Sequence, residues 1–184
     1  YDGLDDPAGL AFAQWLLAFT MLGSGDIAVG AELVAGALAG FRQLGDRWGI
    51  AAALLTRAEQ ALVRGDLATV RSDGEQSRAL FGQLGDRWGQ VHPTHLLGTL
   101  AEIDGDYEQA ARLHRSALRI AEELELWPSV STQLASLGRL SLLAGDFAEA
   151  TGYHERALRV AEDQSYGSGA AFAKTGLALG ARRQ

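Results

Sequence analysis

Several residue clusters in this chain are of types that do chemistry. The heptapeptide QLGDRWG stands at Gln43–Gly49 and again, unchanged, at Gln83–Gly89. Its Asp, Arg and Trp would suit acid-base, anion-binding or stacking roles. His92 and His95 in HPTH are three apart, a spacing that sets two imidazoles on one helical face as a metal site would need. His114 and His154 recur in the same sequence context. GSGAAFAKTG, from Gly167 to Gly176, contains the Lys-Thr pair of a phosphate-binding loop.

Each cluster fails its own chemistry on inspection. Lys174-Thr175 follows Ala173 where a phosphate loop needs glycine, and the upstream loop is too short for a cradle. No carboxylate follows His95 at the next ligand spacing, Glu102 being seven residues on, and the acidic run at Asp104 lacks the length of a calcium loop. No Ser/His/Asp order, paired-carboxylate pocket or HExxH pattern stands out. The reading is a non-enzyme with no metal and no cofactor. Absence of cysteine excludes disulfides and thiolate metal sites and leaves the compartment open. A net charge of -7, with no basic cluster beyond the terminal ARRQ, would repel a phosphate backbone and excludes direct nucleic-acid binding.

The elements that would position these residues follow from a repeat. Gly-Asp followed by an apolar residue recurs at Gly25-Asp26-Ile27, Gly65-Asp66-Leu67, Gly105-Asp106-Tyr107 and Gly145-Asp146-Phe147, forty residues apart each time. Leu4, Asp6 and Gly9 fall over Leu44, Asp46 and Gly49 in the same register. Each block holds two segments of helical spacing. In the third, Ala110, Leu113, Ala117, Leu118, Ile120, Ala121 and Leu124 make an apolar stripe opposite Glu108, Arg112, Arg115, Arg119 and Glu122. The pattern predicts an all-α chain of about nine antiparallel helices, with units near 8–43, 47–83, 90–124 and 128–163 and a terminal helix near 167–181, in one repeat domain.

The Gly of each Gly-Asp pair would end a helix in the left-handed conformation, and the Asp would cap the next. On that reading QLGDRWG is a joint, with Trp48 and Trp88 wedged at the corner and Trp127-Pro128 in the equivalent place. Pro93 predicts a helix that starts late or kinks. His114 and His154 share a column and read as packing residues that keep one polar edge.

With 47% apolar residues the chain can bury a sizeable core. The apolar run from Ala8 to Gly25 is broken by polar residues and glycines, so it predicts a buried helix and no membrane span. A start at Tyr1 with a lone Met21 suggests part of a longer protein, and no basic segment suggests a signal peptide; the expected location is cytoplasmic.

HLLGTLAEIDGDYEQAARLHRSALRIAEEL, from His95 to Leu124, resembles a tetratricopeptide repeat (TPR). The landmarks fall on Leu97-Gly98, Gly105-Asp106-Tyr107, Ala110 and Ala117-Leu118, then on Leu137-Gly138, Gly145-Asp146-Phe147, Ala150 and Ala157-Leu158. In the earlier units Ala58 stands for the helix glycine, and Gly30 and Val70 for the early alanine. The forty-residue period with LGDRWGIA linking units is similar to TPR sensor regions of bacterial, notably actinobacterial, transcriptional regulators and signal-transduction ATPases. The resemblance implies an α-α superhelix, a TPR-like solenoid, whose first helices line a binding face. The family's groove positions then fall on Phe12, Trp15, Phe19, Leu55, Glu59, Leu62, His92, His95, Thr99, Glu102, Thr132, Ala135, Arg139 and Leu142.

Such a face implies a protein or peptide partner, or a small effector, and a role in signal transduction or transcription regulation. Phe12, Trp15 and Phe19 also fit a second reading, in which they pack on a preceding repeat. A structural alternative is a scaffold or self-assembling module, a homodimer formed through the apolar terminal helices.

Overall fold

The computed structural model describes residues 6–23 and 27–182. Leu4 and the first Gly-Asp pair, Gly25-Asp26, lie outside the described residues. Within them the regular structure is helical: α1 (Pro7–Thr20), a 3-10 turn (Met21–Gly23), α2 (Ile27–Leu44), α3 (Arg47–Arg64), α4 (Leu67–Gln83), α5 (Arg87–Ile103), α6 (Tyr107–Glu123), α7 (Trp127–Ala144), α8 (Phe147–Asp163) and α9 (Gly167–Ala181). The α6 stripe is buried through Ala110, Leu113, His114, Ala117, Ile120 and Ala121, close to the predicted one, with His114 added, Leu118 half-buried and Leu124 left at the exposed end.

One corner geometry joins α2 through α9. At Gly45 the backbone turns left-handed (φ 67°), its N–H donates to the Arg42 carbonyl and the Asp46 N–H to that of Phe41. The Asp46 carboxylate then accepts from the Gly49 N–H at 3.0 Å, capping α3. This pairing of a left-handed helix end with an acidic cap satisfies orphan groups of both helices. Positive φ recurs at residues 45, 65, 85, 105, 125, 145 and 165, every twenty residues. Two of those residues are not glycine: Glu125 (φ 55°) and Ser165 (φ 54°). The helices they introduce, α7 and α9, also lack a side-chain cap, Leu126 and Tyr166 standing where Asp would be. The corner survives there on backbone bonds, Leu126 N–H to Ala121 and Tyr166 N–H to Ala161, both 2.8 Å.

The second glycine of QLGDRWG has a separate reason. A Cβ on Gly49 would stand 2.3 Å from the Phe41 ring, and one on Gly89 the same distance from Phe81. Where the column of Phe41 and Phe81 becomes Ala121, the glycine column becomes Ser129.

The chain divides into two compact units, residues 1–100 and 101–184. In the first, α1 packs on α2 and α3 on α4. Ala11, Ala18, Val34, Ala37, Leu38, Phe41, Ala53 and Leu54 form a buried cluster with Trp15, Leu33, Ile50 and Leu80 against it. Each fully buried large apolar side chain contributes about 1.5–3 kcal/mol. In the second unit α7 packs on both α6 and α8, and α8 on α9, around Val130, Leu134, Leu137, Ala150, Ala157 and Ala173. Gly30, Val70, Ala110 and Ala150 are all buried, so the early-alanine column keeps its place in every unit.

Polar links inside the pairs change identity while keeping position. The buried Ser77 hydroxyl donates to the Ala51 carbonyl at 2.8 Å in the first unit. In the second, the same two columns exchange roles, and Ser131 donates to Ala157 at 3.0 Å. Arg57 and the buried Asp73 make a bidentate pair (2.6 and 2.9 Å); one repeat later those columns are Leu97 and Leu113.

Three expectations are corrected. The apolar run expected as a buried helix forms α1, which buries Ala11 and Ala18 and leaves Phe12, Leu16, Leu17 and Phe19 exposed. Helix α5 does not start late: it begins at Arg87, in register with α3, and runs through Pro93. The buried ring costs the helix one N–H and is held by its packing, while the Thr94 hydroxyl donates to the Gln90 carbonyl one turn back at 2.6 Å. A span-length apolar helix does exist, not in Ala8–Gly25 but in α2, which is 18 residues long and apolar enough to cross a membrane by composition. Val34, Ala37, Leu38 and Phe41 form its buried face in the first unit's core, while Ile27, Val29 and Leu44 are exposed.

Candidate functional site

In the first unit the first helices of successive pairs enclose a cavity of about 310 Å3. Helix α1 supplies Trp15, Leu16 and Phe19; α3 supplies Trp48, Ala52, Leu55, Thr56 and Glu59; α5 supplies Trp88, Gly89 and His92; and Phe81 comes from α4. The helical spacing of Trp15 and Phe19, and of Leu55 and Glu59, brings each pair to one face one turn apart. The rings interlock: Trp15 meets Phe19 at 6.1 Å in a stacked arrangement, Trp48 edge-on at 5.5 Å, and Phe12 at 5.3 Å. Trp48 reaches Phe81 at 6.2 Å, and Trp88 reaches His92 at 5.6 Å.

The indole donors of two tryptophans are already committed. Trp15 Nε1 donates to the Thr56 hydroxyl at 3.1 Å, and Trp48 Nε1 to Asp86 Oδ2 at 2.9 Å. Thr56 in turn donates to the Ala52 carbonyl. Glu59 is the contrary case. Its Oε2 is buried with no hydrogen-bond partner, and burial pushes its carboxyl up to about 7. A carboxylate stripped of water loses the solvation that its charge needs, so the neutral acid is favoured. His92 is pushed the other way: desolvation beside the rings holds its pKa below the ordinary value, although the residue as a whole is exposed.

The second unit holds a polar cluster of opposite character. Glu102 accepts from Arg139 through Nε and Nη2 (2.9 and 2.8 Å) and meets His114 Nε2 at 2.8 Å. The other ring nitrogen of the fully buried His114 meets Gln133 Oε1 at 2.9 Å. Burial pushes the Glu102 carboxyl up, but the hydrogen bonds from His114 and Arg139 and their charge outweigh it, holding the pKa below the carboxylate norm. Arg139 also lies 5.6 Å from the centre of the Phe172 ring.

Of the groove residues that the resemblance implies, Trp15, Phe19, Leu55, Glu59 and His92 therefore converge on one cavity. Phe12 stands beside it through its contact with Trp15, exposed at 47%. His95 and Thr99 are half-buried on α5 and are not among the lining residues. Glu102 and Arg139 meet each other in the second unit. Ala135 and Leu142 are buried at 1% and 8%, so they serve the core. Among the described residues no group of three or more His, Cys, Asp or Glu is placed to hold a metal ion.

Seven of the lining residues escaped the sequence reading of the groove, Trp48 and Trp88 foremost among them. Those two belong to the repeated heptapeptide, and a tryptophan just after a capping Asp reads equally well as corner packing. The signal was their forty-residue spacing: identical residues on consecutive first helices share a face.

Helix pairs repeated in this way belong to the helical-repeat class of fold. Residues 90–163 match the tetratricopeptide repeat family. Among solved structures, BtubC (BKLC) from P. vanneervenii is similar at a TM-score of 0.75 and 22% identity, over 88% of this chain and 67% of that one. Two crystal structures of a putative kinesin light chain with nearly identical TPR-like repeats, from Podosopora anserina, align at TM-scores of 0.74 and 0.73. Both are 17% identical and cover 97% of this chain and 88% of theirs. The fold is thus all-α, of the α-α superhelix class. No curated protein sequence matches the chain.

Proposed function

We propose that the chain is one repeat domain, residues 1–184, that works without catalysis as a recognition module and binds a protein segment or small effector through the face formed by Trp15, Phe19, Leu55, Glu59 and His92. The tetratricopeptide match and the fold support an interaction role; the cavity is the observation that carries the choice of face. Its volume lies at the lower end of ordinary ligand sites, about 300–1,000 Å3, and its wall is mainly aromatic with few polar groups, as such sites are. In this reading the module is the cytoplasmic sensor region of a bacterial transcriptional regulator, supported by the forty-residue period and the LGDRWGIA linker. Intrinsic fluorescence tests the face, since Trp15, Trp48 and Trp88 are three of the four tryptophans. Peptide or effector binding that quenches the wild type and survives Trp15→Ala at full affinity would rule this face out.

The exposed apolar residues of α1 (Phe12, Leu16, Leu17, Phe19) and of α9 (Phe172, Leu179) favour a second reading, self-association. Light scattering over a dilution series distinguishes it: a mass that stays monomeric at the highest concentration removes it.

A further inference from the structure

We propose that the first unit's cavity takes a small organic ammonium ion, a protonated amine carried on an apolar ring, with the Glu59 carboxylate accepting its N–H and the tryptophans enclosing its body. The inference rests on the recognition reading above and assigns the ligand's chemistry.

It follows from an inventory of what the cavity offers and what it lacks. A buried acceptor with no donor is unusual in a folded protein and calls for one. Glu59 Oε2 is such an acceptor, and the cavity wall contains no Lys and no Arg that could serve it. His92 shares the wall and is kept toward its neutral form. The only hydroxyl on the wall, that of Thr56, is already occupied as donor and acceptor. Trp15 and Trp48 have spent their N–H groups on Thr56 and Asp86. An anionic ligand would therefore meet a carboxylate and, of the three indole N–H groups on the wall, find only that of Trp88 uncommitted. A cation meets the reverse: one acceptor and several indole rings, whose π electrons attract positive charge by about 0.5–2 kcal/mol per favourable contact.

Size selects the body. An apolar cavity of about 150 Å3 accommodates benzene, so about 310 Å3 has room for a ring bearing a short aminoalkyl chain. A primary ammonium suits the site better than a quaternary one, because only the former has the N–H that Glu59 requires.

The titration adds a signature. Glu59 and His92 are the titratable groups lining the cavity. With the Glu59 carboxyl at about 7 when empty, the acid must ionise to pair with the ammonium, so binding releases a proton and strengthens with pH. The ionised fraction falls about tenfold between pH 8 and pH 6, and the affinity should fall with it.

The test uses the full chain and 2-phenylethylamine, 2-phenylethanol and 3-phenylpropionate as probes of one shape, followed by tryptophan fluorescence and calorimetry. The expected result is that the amine binds about tenfold or more tightly than the alcohol at pH 8, that the acid binds most weakly, and that Glu59→Gln removes the preference for the amine while retaining the helical spectrum. Amine and alcohol binding alike, or an unchanged preference in Glu59→Gln, overturns the ammonium assignment while leaving the cavity a ligand site. No quenching by the amine at millimolar concentration also overturns it; the Trp15→Ala partner-binding measurement then decides separately whether the recognition face falls too.

Discussion

Glu59 and Glu102 both stand late on the first helix of a pair, and their surroundings treat the same carboxylate in opposite ways. Glu102 is met by Arg139 and His114, and its pKa is held down. Glu59 faces aromatic rings, keeps a buried oxygen without a partner and has its pKa raised to about 7. The histidines His114 and His154 repeat the lesson within one column of the second unit. His114 has both ring nitrogens engaged, by Glu102 and Gln133. One repeat later those partners become Leu142 and Ala173, and both nitrogens of the buried His154 are left without partners. The His154 ring lies where Cβ atoms on Gly138 and Gly176 would be, at 2.7 and 2.2 Å, so small residues on two helices make its room. Fold and polar satisfaction are thus separable: the column fixes where a side chain goes, and the neighbours one repeat away decide whether it is stabilising.

The largest expected effect breaks the satisfied member. Glu102→Ala leaves the buried His114 and the partly exposed Arg139 short of an acceptor, and urea denaturation at neutral pH should show a loss of about 2–4 kcal/mol. Unchanged stability would mean that solvent screens the cluster fully. Next comes the unsatisfied member. Glu59 has a folded pKa above its unfolded one, so the folded state binds more protons between them and stability falls as pH rises from about 4.5 to about 7. The difference of about 2.5 units corresponds to a cost on the order of 3 kcal/mol above that window. Glu59→Gln should therefore be more stable than wild type at pH 8 and nearly equal to it near pH 4; a gain independent of pH would exclude this cause.

The histidine pair sharpens the comparison at smaller scale. His114→Leu removes one buried and one partly buried hydrogen bond and should cost about 2 kcal/mol, whereas His154→Leu removes none and should lie within about 1 kcal/mol of wild type or above it. Chemical denaturation of both variants side by side measures this. His154, with its pKa lowered by burial and by the Arg139 charge, also destabilises the fold below the ordinary imidazole pKa. There the unfolded chain takes up a proton that the folded one refuses. His154→Leu should flatten that acid limb.

The fold was legible because its punctuation is chemical. Gly45-Asp46 or Gly105-Asp106 names a backbone conformation and a cap outright, and their spacing set the helices. The corners at 125 and 165 were less legible: Trp127-Pro128 marks the first, but Glu125-Leu126 and Ser165-Tyr166 offer neither glycine nor a capping Asp, and backbone bonds hold the turn there. The first-helix positions Trp15, Phe19, Leu55, Glu59 and His92 could be taken from the family's geometry. The partnerships could not. Trp15 to Thr56, Trp48 to Asp86 and Arg139 to Glu102 span 41, 38 and 37 residues, one repeat give or take a helical turn. Sequence gives no sign of which polar residues at that separation will meet, or that Glu59 will meet none.

The regular corners also constrain how such a chain changes length. Corners every twenty residues mean that duplicating one helix would leave every turn acceptable yet send each later buried stripe to the wrong partner, whereas duplicating forty residues shifts nothing. The identical heptapeptides at Gln43–Gly49 and Gln83–Gly89 are therefore interchangeable splice points. A chain with residues 47–86 duplicated is expected to fold with a cooperative melt like the parent, and one with residues 47–66 duplicated to aggregate, which circular dichroism and light scattering would reveal.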